Sequence, residues 1–177
     1  ISLNDPRFWQ HPGFQWEHLT DPQPQTLAEQ LVHDMMLENE PPGLRRSLRM
    51  RLLASQLVKR YGRAQVLEWY LNSANYGHLA YGAESAAQLY LGKSARQLSL
   101  AEAALLASLP KTPALNPLDA PAAALENQQA ALQQLFDQGW IGKEEFETAK
   151  TEEITFAAVP EEPVSIAAAF TSLVLNQ

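Results

Sequence analysis

The stretch from Val66 to Pro113, VLEWYLNSANYGHLAYGAESAAQLYLGKSARQLSLAEAALLASLPKTP, carries the strongest signals for the fold. Apolar side chains recur at helical spacing in its first part and predict a helix over 64–75. Glycines then punctuate 76–82, which indicates an irregular connection, and a small-residue helix follows over 84–91. Ser99 and Glu102 have the spacing of a capping box, in which both side chains satisfy free backbone N–H groups at a helix start. We therefore predict a further helix over 103–109, before the prolines.

The same 3.6-residue periodicity predicts helices on both sides of this stretch. The predicted helices cover 26–37, 44–61, 120–138, 143–150 and 166–175, and 154–159 is the one segment that favours extended backbone. In the helix over 44–61 we expect the apolar stripe Leu48, Leu52, Leu53 and Leu57 to face the core. The sequence therefore predicts an all-α fold.

Composition is that of a globular protein, with 46% apolar and 19% charged residues in a chain of 177. The sequence contains no cysteine, which excludes disulfides and thiolate sites. It has no apolar run long enough to span a bilayer. Nor does Ile1 open a signal peptide, so we expect the chain to be part of a longer protein.

Charge is distributed unevenly along the chain. The net charge of −7 argues against nucleic acid as a partner. Seven of the thirteen basic residues nevertheless lie between Pro41 and Leu67, with no acid among them: Arg45, Arg46, Arg49, Arg51, Lys59, Arg60 and Arg63. This cluster suggests a local anionic partner, such as a phosphorylated ligand or a lipid headgroup, although a solvated helix face fits equally well.

Several blocks of the sequence resemble the family 51 glycosyltransferases, the peptidoglycan glycosyltransferase domains of class A penicillin-binding proteins and monofunctional transglycosylases. The matching residues in the quoted stretch are Tyr70, Leu71, Asn72, Gly77, Tyr81, Gly82, Glu84, Ala86, Ala87, Tyr90, Gly92, Lys93, Leu100, Ala101, Glu102, Ala103, Leu109 and Pro110. Residues 4–13, 26–31 and 135–141 resemble three further blocks. The resemblance therefore covers nearly the whole chain.

This resemblance implies a lysozyme-like helical fold with a membrane-facing jaw at about 26–60, and a single domain over 1–177. Members of the family polymerise lipid II into glycan strands. They work at the extracytoplasmic face of the bacterial cytoplasmic membrane, and we expect the membrane anchor to lie outside this chain. We expect contact with the membrane surface through the 33–52 region, with Met35, Met36, Leu37 and Leu48 as the apolar patch.

Two positions at which the family carries glutamates hold other residues here. The base that deprotonates the acceptor sugar would stand at Asn4, and an amide is no base near neutral pH. The second glutamate would stand at Met50, which cannot take a proton. Asp5, Glu29 and Glu84 are the acids that remain as substitutes, and Asp5 is displaced by one residue, which re-aims its side chain. The resemblance and these departures together predict a non-catalytic domain.

The resemblance and the basic cluster also suggest residues that bind substrate. The predicted set is Thr26, Gln30, Arg46, Arg49, Arg51, Asn72 and Lys93. Glu84 is expected to brace Lys93 or an arginine. We expect no cofactor and no metal site, although family members often use a divalent cation such as Mg²⁺; the histidines lack zinc-ligand spacing.

Three functions stay open at this point. The first is a degenerate domain that binds lipid II or a glycan strand, or acts as a scaffold for cell-wall synthesis proteins. The second is an active peptidoglycan glycosyltransferase with a relocated acid. The third is a purely protein-binding helical module, since alanine-rich helix pairs resemble helical-repeat scaffolds, but the sequence shows no fixed repeat period.

Overall fold

Helices account for the regular structure of this protein. The computed structural model describes residues 3–157, and that part of the chain contains seven α-helices and no β-strand. They are α1 (Leu27–Val32), α2 (Leu44–Tyr61), α3 (Arg63–Ser73), α4 (Ala83–Leu91), α5 (Leu100–Ser108), α6 (Pro121–Asp137) and α7 (Lys143–Thr151). A π-helical turn, His33–Leu37, extends α1 directly. The all-α prediction is confirmed.

The predicted helix boundaries differ from the observed ones by a few residues at their ends. The capping box is confirmed: Ser99 Oγ accepts from the Glu102 N–H at 3.2 Å, and the Ser99 N–H donates to the Glu102 carboxylate at 2.9 Å. Because Ser99 is the cap, α5 begins at Leu100, earlier than predicted. Residues 154–157 form no strand. Residues 158 and 159 and the predicted helix over 166–175 lie outside the described residues.

Three apolar clusters hold the helices together. The first joins α3, α4 and α5 around Tyr90, Leu105 and Leu109. The second joins α1, α2 and α3, and the third joins α5, α6 and α7. The Tyr90 hydroxyl donates to the Tyr76 carbonyl at 3.0 Å, so this buried ring leaves no unpaired hydroxyl. Helix α3 belongs to two clusters and thereby fixes α1 and α2 against the rest of the protein.

The buried face of α2 differs from the predicted one. Leu48 and Leu52 are 43% and 60% exposed, so the predicted leucine stripe is wrong at these two positions. The side chains that α2 buries are Ser47, Met50, Arg51, Ala54 and Val58. Two of these side chains are polar. A prediction based on the spacing of apolar residues therefore could not identify this face of α2 as the buried one. The unburied leucines instead form a ridge with Leu44 at intervals of four residues.

The surface around the π-helical turn is strongly apolar. Met35 and Met36 are 65% and 57% exposed, and the ridge Leu44, Leu48 and Leu52 is exposed on α2. Leu37 was predicted to belong to the same patch, but it is fully buried in the cluster between α1 and α2. Among the described residues, no helix combines the length and the apolar character needed to cross a bilayer.

Candidate functional site

A long groove runs between α1, α3, α5 and α6, and we use that name for three adjoining cavities. The first, of about 330 Å³, lies between the π-helical turn and the end of α3, and the second, of about 360 Å³, lies at the start of α1. Gln30, Tyr70 and Pro110 line both. The third, of about 220 Å³, shares Asn4 and Lys111 with the second and reaches α6. The groove is therefore long enough to hold an extended ligand.

Many uncharged polar side chains line the long groove, beside apolar ones. Amides and hydroxyls come from Asn4, Gln25, Thr26, Gln30, Ser73, Asn75, Ser108, Thr112, Asn127 and Gln134. Its one lining cation, within residues 3–157, is Lys111, whose Nζ donates to the Leu3 carbonyl at 3.1 Å. Asp34 and Glu38 supply carboxylates at the end near the π-helical turn. Such a lining can hydrogen-bond a hydroxyl-rich ligand along its length.

Asp5 is fully buried and is fixed by three hydrogen bonds. Its carboxylate lies 2.9 and 3.0 Å from His11 Nε2 and accepts from the Leu27 N–H at 3.1 Å. These contacts tie the N-terminal segment to the first turn of α1, where a carboxylate complements the exposed N–H groups. Asp5 does not line the long groove, so its position does not support a role as substitute base.

Glu29 and Arg51 form an ion pair in the interior. Glu29 Oε1 and Arg51 Nε are 3.7 Å apart, and both side chains are at most 2% exposed. The Gln25 N–H donates to Glu29 at 2.8 Å, and Arg51 donates to the Ser47 carbonyl at 2.9 Å. Burial raises the pKa of Glu29. Arg51 was predicted to bind an anionic ligand. Its guanidinium is instead buried against Glu29, where a ligand does not reach it.

The two positions that would carry the family's glutamates have different surroundings. Asn4 is half-buried in the long groove, and its Nδ2 donates to the Ala107 carbonyl at 3.1 Å. Met50 is fully buried in the cluster of α1, α2 and α3, among neighbours such as Leu31 and Ala54. One position thus presents a neutral amide to the groove, and the other belongs to the core.

Glu84 lies outside the long groove and braces the turn that follows α4. Its carboxylate accepts from the Ala95 N–H at 2.9 Å and from Ser94 Oγ at 3.1 Å, and the Ala95 hydrogen bond lowers its pKa. Of the two partners predicted for Glu84, Lys93 makes no salt bridge with it, whereas the charge of Arg96 also lowers the Glu84 pKa. Lys93 donates instead to Glu102 at 2.6 Å, so its charge is already paired.

The remaining predicted ligands separate into two groups. Thr26 and Gln30 line the long groove, although the Thr26 hydroxyl is engaged with the Gly13 carbonyl at 2.7 Å and caps α1. Arg49 donates to Glu40 at 3.0 Å on the surface of α2, and Arg46 is half-buried on the same helix. Asn72 lines a separate apolar cavity. The structure therefore brings together only Thr26 and Gln30 of the predicted set.

Sequence reasoning missed the carboxylates of the groove. Asp34 accepts from Gln30 Nε2 at 2.8 Å, and Glu38 lies one helical turn further on. The spacing of four residues between Gln30 and Asp34, in a helix already predicted, was the signal that could have found this pair. Tyr70 is buried, which raises its pKa, and it also lines the groove.

Comparison with known proteins identifies this arrangement as that of a helical transglycosylase domain. Residues 24–136 match the family model described as transglycosylase. The chain is 39% identical over 131 residues to penicillin-binding protein 1A of Aquifex aeolicus, an alignment that covers 73% of this chain and 18% of that protein. It is 31% identical over 167 residues to penicillin-binding protein 1A of Escherichia coli, covering 87% of this chain and 20% of that protein.

A solved structure shows the same fold. The crystal structure of penicillin-binding protein 1A from Haemophilus influenzae aligns with 93% of this chain and 21% of its own, with a TM-score of 0.55 and 24% identity. This likeness confirms the lysozyme-like helical fold that the resemblance implied. The chain spans about a fifth of the length of these relatives. It belongs to the transglycosylase family.

Proposed function

We propose that this chain is a degenerate transglycosylase domain that holds a lipid-linked glycan precursor or a glycan strand in the long groove without polymerising it. The observation that carries this proposal is the loss of both family glutamates, with Asn4 in the groove and Met50 in the core. Glycosyl transfer to a sugar hydroxyl needs a base that takes its proton, and neither side chain can act as one.

None of the three acids first considered as substitutes is placed to act on a ligand in the groove. Asp5 is clamped by His11, Glu29 is buried against Arg51, and Glu84 braces another turn. In the part of the chain that the structure describes, no three carboxylate or histidine side chains group closely enough to hold a metal ion.

We expect the purified chain to leave fluorescent lipid II unpolymerised when both are incubated with Mg²⁺ in detergent and the products are separated on a gel. A family member with both glutamates serves as the active control. Retention of lipid II by the immobilised chain would support a binding domain, and the absence of retention would favour a protein-binding module.

A second candidate is an active enzyme, and Asp34 and Glu38 favour it because they are carboxylates that line the groove. Glycan ladders in the same assay would establish this function and overturn the first. Asp34→Asn and Glu38→Gln would then identify the base, since each change removes the proton acceptor at nearly constant shape.

We also propose that the surface of residues 33–52 faces the membrane, at the extracytoplasmic side where the family works. Met35, Met36 and Leu48 are exposed there, and Arg45 and Arg49 are exposed on the same helix as Leu48. Apolar side chains beside basic ones are typical of surfaces that lie on anionic bilayers.

Replacing Met36 and Leu48 together by serine should weaken binding to anionic vesicles roughly tenfold or more, because two apolar side chains no longer enter the bilayer. Vesicle co-sedimentation measures this effect. Trp140→Ser is the matched control, since Trp140 is 54% exposed and lies between α6 and α7. Equal losses in both proteins would contradict the assignment of this surface.

A further inference from the structure

An apolar slot lies beside the long groove and extends inward from the exposed methionines of the proposed membrane-facing surface. We use this name for a cavity of about 430 Å³ between the π-helical turn, the end of α2 and α3, together with a smaller one of about 160 Å³. Met36, Leu57 and Tyr61 line both cavities. Leu31 and Trp69 form part of the wall of the larger one.

One wall of the slot is aromatic, and exposed methionines line the part nearest the π-helical turn. The rings of Tyr61 and Trp69 pack edge to face with their centroids 5.0 Å apart, which fixes one wall. Met35 and Met36 are 65% and 57% exposed at the mouth. Met35 and Ser73 also line the first cavity of the long groove, so the slot opens next to that groove.

The charge at the rim of the slot is positive. Arg60 lines the smaller cavity, and its guanidinium lies 5.5 Å from the centroid of the Tyr61 ring, which positions it by a cation–π contact. Within residues 3–157, Arg60 makes no salt bridge, and no acidic side chain lines either cavity of the slot. A cation over an apolar cavity suits an amphiphile with an anionic head.

We propose that the slot binds one hydrocarbon chain of an anionic membrane lipid, with the phosphate of its headgroup at Arg60. The apolar walls accept the chain, the exposed methionines at the mouth provide the entry, and the guanidinium provides the charge complementarity. This inference rests on the proposed membrane-facing surface, because lipid reaches the mouth only if that surface meets the bilayer. The slot would retain a lipid next to the groove in which the glycan lies.

The test uses dodecyl phosphate with a brominated chain, kept below its micelle concentration. Bromine in the slot quenches the fluorescence of Trp69, so we expect saturable quenching that is absent from Trp69→Phe. Ser73→Leu should abolish it by filling the slot. Arg60→Gln should weaken binding about fivefold, the effect expected for one basic side chain near a phosphate.

Arg96→Gln is the matched control, since Arg96 is an exposed arginine that lines neither cavity and lies outside the membrane-facing surface. Equal effects of Arg96→Gln and Arg60→Gln, or quenching that never saturates, would overturn the slot while leaving the vesicle-binding surface intact. Inorganic phosphate alone should not compete. A saturable change in Trp69 fluorescence on adding an acidic amphipathic peptide, with no binding of dodecyl phosphate, would assign the slot to a protein partner and overturn the lipid.

Discussion

Met50→Glu, the change that restores a family glutamate at its sequence position, is expected to lower the free energy of unfolding by about 3 kcal/mol or more. Met50 has no exposed surface and packs among apolar side chains of α1, α2 and α3. A carboxylate at this position loses its hydration and gains no ion-pair partner, because the neighbouring Arg51 is already paired with Glu29. The stability of the protein should therefore fall while activity does not return.

Urea denaturation near neutral pH measures this loss, and Met50→Leu is the control that keeps size and apolarity, with an expected change below about 1.5 kcal/mol. Burial would raise the pKa of the new carboxyl above its unfolded value. Its destabilising effect should therefore be complete above the folded pKa and should shrink as the pH falls towards the unfolded one. If Met50→Glu were as stable as Met50→Leu at neutral pH, position 50 would not belong to the core.

Most helices could be predicted from the sequence because their signals are local. The Ser99 cap and the prolines act within one or two turns of their own helix. The face of α2 could not be predicted in the same way, because it depends on a partner elsewhere in the chain. Arg51 is buried only because Glu29 on α1 lies opposite it, and nothing in the pattern of α2 indicates that pairing.

The π-helical turn shows the same limit. The apolar periodicity correctly extends the first helix to Leu37, but the last five residues form a π-helical turn. Because a π-helical turn rotates the later side chains relative to a regular helix, Leu37 points into the core and Met35 and Met36 point outward. Asp34 lies in this turn and Glu38 directly follows it. A regular helical pattern therefore did not indicate that these two carboxylates line the groove.

The candidate site was predicted only in part. A resemblance indicates which sequence positions belong to a site, but it does not show which neighbours each side chain contacts in this chain. Asn4 and Gln30 do line the long groove, as the matching blocks suggested. Lys93, expected to bind an anion, is paired with Glu102, and this pairing joins residues nine positions apart across a turn. Pairings of this kind follow from the fold, so they are visible only once the helices are placed.

Removing one partner of the Glu29–Arg51 pair is expected to destabilise the protein by about 3–5 kcal/mol, because the other is left as an uncompensated charge in the interior. Arg51→Met removes the cation at similar length, and Glu29→Gln removes the anion while keeping an acceptor for the Gln25 N–H. Replacing both residues should cost much less than the sum of the single changes, since the double variant leaves no unpaired charge at this site.

Urea denaturation of the four proteins near neutral pH gives the coupling energy of the pair. We expect it to exceed about 1 kcal/mol, in the range found for residues in direct contact. Additive effects would mean that the two side chains do not sense each other at 3.7 Å, and that Glu29 is neutral in the folded protein. Coupling would instead show that the ion pair holds α1 against α2. Arg51 would then stabilise the fold and would not be free to bind a phosphate group in the groove.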